Sequence, residues 1–348
     1  DRAAELSRTV RAVAELGIDG AELIVVDNAS AEPSRLSGTV GGLRVREIGL
    51  PTNIGAAARN AGAREARHDW IVMLDDDSQP LDAGLVNAIA DAGPRTGAIA
   101  ADIVLPDGSR EPGGLPEVFV GCGVAIRREL FLALGGYDRS FDYYAEEYDL
   151  CARLIASGSR VVLDPRFRVL HRKVSTGRDF GVILQRLVRN NGWVIARHAP
   201  AGEVESELGA MLRRYASIAE REGVVEAFAR GQAELRGTID AQPRSPMTDA
   251  HWDRFTGLTA ARRAVEVGVP ESARTAAIVE PGKGESVVRR ALVEHGLIIV
   301  GDASSADVVA IGTLSPGPML DAAARFGDDP RLLVPWIVSD AFSPSRAA

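Results

Sequence analysis

The first half of the chain alternates short apolar runs with helical segments, and that alternation leaves it few folds. "ELIVVD" (22–27), "LRVREIGL" (43–50), "WIVML" (70–74), "GAIAADIVL" (97–105) and "VFVGCGVAI" (118–126) read as strands. Between and around them, "DRAAELSRTVRAVAELG" (1–17), the Ala-rich "NIGAAARNAGAREA" (53–66), "LDAGLVNAIADA" (81–92), "RRELFLALGG" (127–136) and "AEEYDLCARLIASG" (145–158) read as helices. "SRVVLDPRFRVLHRK" (159–173) reads as two short strands. Strands alternating with helices predict an α/β domain with a mostly parallel sheet flanked by helices. The alternation fades near residue 180. A helix-like stretch follows over 181–266, then a small βαβ-like unit with "TAAIVE" and "ADVVAIGT" as strands over 267–348. The expected domains are 1–180, 181–266 and 267–348, and "AQPRSPM" (241–247) is the expected flexible joint.

Composition excludes several classes. The net charge of -8 implies no broad basic surface for nucleic acid. Two cysteines, Cys122 and Cys151, are too few for a disulfide framework and point to a reducing compartment. No apolar run is long enough to span a bilayer and no signal peptide is visible, so the expected location is cytoplasmic, with peripheral membrane contact left open.

In open α/β sheets, ligands sit beyond the carboxyl ends of the strands. The polar residues after the strands are therefore expected to form one constellation: Asp27, Asn28 and Ser30, then Asp75, Asp76 and Asp77, the loop after 141, and His171. The run "WIVMLDDDSQP" sets three carboxylates at the end of an apolar strand, where like charges repel. Two carboxylates on one side suit Mg²⁺ or Mn²⁺. A solvated loop with one Asp capping the next helix is the plainer reading of this motif alone.

The ordered set "VVDNAS", "NIGAAARNAG", "MLDDD", "GCGVAIRRELFLALGGYD", "EEYDLCARLIASG" and "VLHR" resembles the family 2 glycosyltransferases, in particular their rhamnosyltransferase-like branch, over roughly residues 1–200. The resemblance implies the glycosyltransferase-A fold and an inverting, metal-dependent transfer of sugar from a UDP- or dTDP-sugar. The acceptor would be a hydroxyl of a glycan, a lipid-linked glycan or a small molecule. It implies that Asp27 contacts the base, that Asn53, Gly55 and Arg59 line the nucleotide pocket, and that Asp75 and Asp76 reach the ribose or support the loop. Asp77 and His171 would hold the metal. Glu147 falls where the catalytic base would be, with Glu146 beside it, and Asp149 and Arg153 match the helix that follows.

Two departures stand out. Family members begin with an apolar strand ending in a Thr-Tyr-Asn-like turn, and this chain starts just past that point. Either the chain lacks its natural N-terminus, which is favoured, or the sheet lacks a strand and leaves "LIVV" on an edge. The base position also carries Glu where the family commonly has Asp. Each functional reading has a structural counterpart. Asp27 can cap a turn, Arg153 can bridge from its helix, and Gly121 and Gly123 can mark a bulge. Cys122 and Trp70 read as packing residues, while Arg189 and His198 remain candidate contacts. "EPGKGES" (280–286) misses the phosphate-loop spacing. The rival classes are a nucleotidyltransferase and a catalytically degenerate scaffold; the intact aspartates and acidic pair favour sugar transfer.

Overall fold

The computed structural model describes residues 2–174 and 179–336. The end of the expected third domain, 337–348, lies outside the described residues. The chain divides into two compact units, both discontinuous in sequence.

The first unit takes residues 2–71, 126–158, 173–174 and 179–252 of the described chain. Helix α1 (Ala3–Glu15) turns Val10 and Ala14 onto Val25, Leu43 and Val45, and Gly17 ends it with φ 59°. Strands β1 (Glu22–Asp27), β2 (Gly38–Val40) and β3 (Leu43–Gly49) form a sheet in the order β1-β3-β2. β1 and β3 are parallel, while β2 joins β3 as an antiparallel hairpin through Gly41 and Gly42. The Ala-rich segment is a 3₁₀ turn over Gly55–Ala58 running into α2 (Arg59–Glu65). Its small side chains let it pack closely; a Cβ on Gly62 would stand 3.0 Å from Val26.

The second unit takes residues 72–125, 159–172 and 253–336 of the described chain. β4 (Trp70–Leu74) leads into it, followed by β5 (Ser78–Pro80), α3 (Gly84–Ala90), β6 (Thr96–Val104) and β7 (Gly123–Arg127). Beyond β7, α4 (Arg128–Ala133) and α5 (Glu146–Ala156) belong to the first unit, and β8 (Arg160–His171) returns to the second. The sheet order is β4-β7-β6-β8-β5. β6 is buried from Thr96 to Ile103, as a strand in a covered sheet should be, and its one charged residue, Asp102, is paired with Arg110. Gly123 faces it: a Cβ there would meet Ala101 and Ile103 at 3.0–3.1 Å, so this glycine serves strand packing. The expected two strands over 159–173 are one strand. Its register against β6 jumps between Asp164 and Arg168, beside Pro165, which has no N–H to give the ladder.

Helices α6 (Phe180–His198), α7 (Val204–Arg221) and α8 (Val225–Thr238) complete the first unit with α9 (Asp249–Thr256), which ends in the second. Leu184 and Val188 of α6 bury against Tyr215 and Ala219. The expected joint at 241–247 is pinned. Ser245 N donates to Arg197 O at 2.8 Å, Met247 N to His198 O at 2.8 Å, and Arg244 covers the carbonyls of Ala196 and Ala199. The open carbonyls at the end of α6 attract this segment, which composition alone presents as loose.

α10 (Leu258–Gly268) precedes a parallel sheet of β9 (Thr275–Val279), β10 (Ile298–Val300), β11 (Val308–Ile311) and β12 (Leu332–Leu333), in the order β10-β9-β11-β12. Helices α11 (Glu285–Glu294) and α12 (Pro316–Phe326) connect its strands. The "PGKG" turn before α11 packs on β11's exit: Leu314 N donates to Lys283 O at 2.7 Å, and a Cβ on Gly284 would stand 2.7 Å from Leu314. Its glycines serve close packing of the two loops.

Candidate functional site

The residues expected to converge fall into two groups, one in each unit. In the first unit, the turn after β1 is tied to the turn before α2. Asn28 Nδ2 donates to Asn53 Oδ1 at 2.9 Å and to Gly55 O at 3.0 Å, and Asn28 Oδ1 accepts from Ile54 N at 2.9 Å. Asn53 Oδ1 also accepts from Gly55 N. Gly55 has φ 65°, and a Cβ there would lie 2.1 Å from Asp142 O, so no other residue fits. Asp27 Oδ1 accepts from Ser30 N at 3.3 Å, as a turn cap does. Asn28, only noted in the sequence, is thus the hub that orders Asn53 and Gly55.

The loop before α5 is held in a costly shape. Asp142, Tyr144 and Ala145 all have positive φ, between 61° and 74°, and each costs on the order of 1–3 kcal/mol. Buried Asn190 on α6 compensates. Its Nδ2 lies 2.7–3.0 Å from the carbonyl oxygens of Phe141, Tyr143 and Tyr144. Ala56 N donates to Asp142 O at 2.7 Å, and the Tyr143 hydroxyl stands 3.3 Å from Asn28 Nδ2. Nothing in the sequence marks Asn190 as the holder of this loop; only the fold brings α6 under it.

That loop delivers Glu146 and Glu147 to the first turn of α5, where the helix N-terminus favours carboxylates. Buried Tyr137 feels Arg59, Glu146 and Glu147, so the three lie in one neighbourhood. Burial pushes the Tyr137 hydroxyl well above its ordinary range, and the two carboxylates add to this against Arg59. Asp149 and Arg153 have structural work. Asp149 bonds Arg153 at 2.6 Å, His198 Nε2 at 2.8 Å and Arg197 at 3.2 Å. Burial opposes its charge, but His198, Arg153 and Arg197 hold the carboxyl well below the usual range. Arg153 also covers the carbonyls of Leu134 and Gly136. His198 is therefore an internal partner, and Arg189 stacks on Trp193 and pairs with Glu234.

In the second unit, the aspartates form the turn between β4 and β5, a strand that apolar patterning does not show. Ser78 Oγ accepts from Asp75 N at 2.7 Å. β5 pairs antiparallel with β8, Ser78 opposite His171, and Arg172 N donates to Asp77 O at 2.8 Å. This register sets Asp77 beside His171, with Oδ1 3.5 Å from Nε2. Asp77 is 1% exposed. Asp76 O accepts from Arg172. On the other side of the ring, His171 Nδ1 lies 2.9 Å from Glu111 Oε2 and 3.7 Å from Cys122 Sγ. Side-chain ligand atoms of Asp75, Cys122 and His171 also lie within 4.8 Å of one another. Burial works against a charge on His171, but Asp77, Cys122 and Glu111 outweigh it and push the imidazole up to about 12. Burial raises the Cys122 thiol, which favours its neutral form. Glu111 sits in a turn-rich loop and carries no sequence signal.

The donor set fits a divalent cation. A carboxylate on one nitrogen fixes the tautomer and offers the other nitrogen to a metal, and Glu111–His171–Asp77 has that order. The imidazole nitrogen suits Mn²⁺ better than Mg²⁺, which prefers oxygen throughout. Trp70, expected in the core, is half-buried, with the Arg127 guanidinium 4.7 Å over its ring.

Residues 1–132 match the family described as "Glycosyl transferase family 2". The pre-mycofactocin glycosyltransferase of Mycobacterium tuberculosis is 28% identical over 186 residues, covering 46% of this chain and 39% of that protein. The N-acetylglucosaminyl-diphospho-decaprenol L-rhamnosyltransferase of the same organism is 30% identical over 153 residues, 32% of this chain and 50% of that protein. The chain spans half or less of the length of these curated relatives. Among solved structures, residues 1-349 of S. aureus TarS superpose with a TM-score of 0.50 at 14% identity, covering 74% of this chain and 80% of that one, a likeness of fold. The fold is mixed α/β of the glycosyltransferase-A kind, and the first 132 residues of the chain are similar to glycosyl transferase family 2.

Proposed function

We propose that the chain transfers a sugar from a nucleoside-diphospho-sugar, UDP- or dTDP-linked, to an acceptor hydroxyl with inversion at the anomeric carbon. The observation that carries this reading is the Glu111–His171–Asp77 line beside Asp75, in a chain whose first 132 residues match the family 2 model. Asp77 and His171 hold the cation, Mn²⁺ in preference to Mg²⁺. When bound, it supplies a Lewis acid for the charge that builds on the leaving diphosphate. Asp27 contacts the base, Asn53 and Gly55 shape the nucleotide loop, and Asp75 and Asp76 reach the ribose or support the loop. Arg59 meets the diphosphate. Glu147 takes the acceptor's proton as its oxygen attacks, and Glu146 places it or tunes it through like-charge repulsion. A single displacement from the face opposite the leaving group inverts the centre. The acceptor is a glycan, a lipid-linked glycan or a small molecule. Among the described residues no helix is long and apolar enough to cross a membrane.

The test is turnover of UDP- and dTDP-sugars with Mn²⁺, read as nucleotide release and product anomer. Glu147→Gln should lower kcat by about 10²–10⁴-fold and leave nucleotide affinity intact. Full activity in that variant, or a retained anomeric configuration, would contradict the assignment.

A further inference from the structure

We propose that the C-terminal α/β module positions the metal-facing nitrogen of His171, acting through Glu111. The inference rests on the cation site proposed above and gives the module a task in it. Every contact below lies within the second unit.

Glu111 reaches His171 Nδ1 at 2.9 Å, so where Glu111 stands decides how the ring is turned. Its main chain is gripped from two sides. On one, Glu111 N donates to Ile103 O of β6 at 2.9 Å. On the other lie the N-cap and first half of α12. Asp321 accepts from Arg110 N at 2.9 Å and from its guanidinium at 2.8 Å. The Arg110 guanidinium also binds Asp102 on β6 at 2.7 Å. Ser315 Oγ is 2.9 Å from Gly113 N and 2.6 Å from Gly113 O. Gly317 touches Glu111 itself: a Cβ there would lie 2.5 Å from Glu111 O. Residues 110–113 are thus bracketed by 315–321, with Glu111 in the middle. A module that only filled space would not need a charged, two-point grip on the residue next to the histidine's partner.

The experiment measures Mn²⁺ affinity of the full chain by chelator competition, together with the ¹⁵N NMR signals of the His171 ring without metal. Glu111→Gln should weaken Mn²⁺ by about 10–100-fold. Asp321→Ala should weaken it in the same direction by about 10-fold, and the Asp321→Ala/Glu111→Gln pair no further than Glu111→Gln alone, since one acts through the other. Asp321→Asn keeps an acceptor for Arg110 N and should restore part of the loss. In the metal-free chain Asp321→Ala should shift the Nδ1 signal of His171. Wild-type Mn²⁺ affinity and unshifted ring signals in a folded Asp321→Ala chain would overturn the proposal. A wild-type chain that binds no Mn²⁺, yet whose ring signals move in Asp321→Ala, would refute the cation site and uphold the positioning. Absence of both would refute both.

Discussion

The two polar clusters of this chain are built on opposite principles. In the first unit, Asn28, Asn53, Gly55 and Asn190 spend their hydrogen bonds on backbone and on each other, and they hold two loops in fixed and partly strained shapes. In the second, Asp77 and Glu111 flank an imidazole that retains its proton far above neutrality. Neutral hydrogen bonds fix shape at modest energy, whereas carboxylates gathered in a buried place ask for a cation. The first cluster reads as a mould for a ligand, the second as a seat for an ion.

Breaking a buried charge in the mould's frame should have the largest effect on stability. Asp149→Asn leaves Arg197 and His198 without their shared carboxylate, and urea unfolding should show a loss of about 3–5 kcal/mol. The pH dependence has a definite sign. Asp149's folded value lies below its unfolded one. Its contribution is therefore present above the ordinary carboxyl range and is lost as pH falls through the folded value. The variant should lose that part of the acid sensitivity. An unchanged acid limb would show that Asp149 is not the group responsible.

Asn190→Ala should cost less, about 1–3 kcal/mol, because it leaves three loop carbonyls without their donor. It should slow turnover at a temperature where the variant is still fully folded, because the loop carries Glu147. Unchanged turnover in the folded variant would make Asn190 ordinary packing.

The ion seat makes a proton prediction. Metal binding through His171 must displace its proton. With the imidazole at about 12, calorimetry at pH 8 in buffers of different ionisation enthalpy should show about one proton released per Mn²⁺ bound. An ordinary histidine would already be neutral there and release almost none.

The smallest effect should come from exposed pairs that belong to neither cluster. Arg166 bridges Asp91 and Asp164 at 2.6–2.7 Å on the surface. Arg166→Ala should change stability by under about 1 kcal/mol. A loss as large as that of Asp149→Asn would mean that surface charge supports this fold as much as buried charge does.

The sequence disclosed whatever rests on periodicity. The runs at 22–27, 43–49 and 70–74 are strands, and α1 and α5 follow from apolar spacing. It hid what rests on pairing. β5 has three residues and one is proline, so no pattern announces it. Yet its register on β8 is what sets Asp77 beside His171. Glu111 and Asn190 stay hidden for the same reason: each acts on residues 46 to 60 positions away. The pinned segment at 241–247 shows the converse. Its two prolines suggest a hinge, but the carbonyls that end α6 recruit it.

The most direct measurement is calorimetric binding of UDP and dTDP, with and without Mn²⁺, to the chain and to Asp77→Ala. The account predicts nucleotide binding that needs Mn²⁺ and vanishes in the variant, with the tighter nucleotide indicating the donor. Binding that is indifferent to both Mn²⁺ and Asp77, or no binding in any condition, would contradict the claim that the aspartates seat an ion against a nucleoside diphosphate.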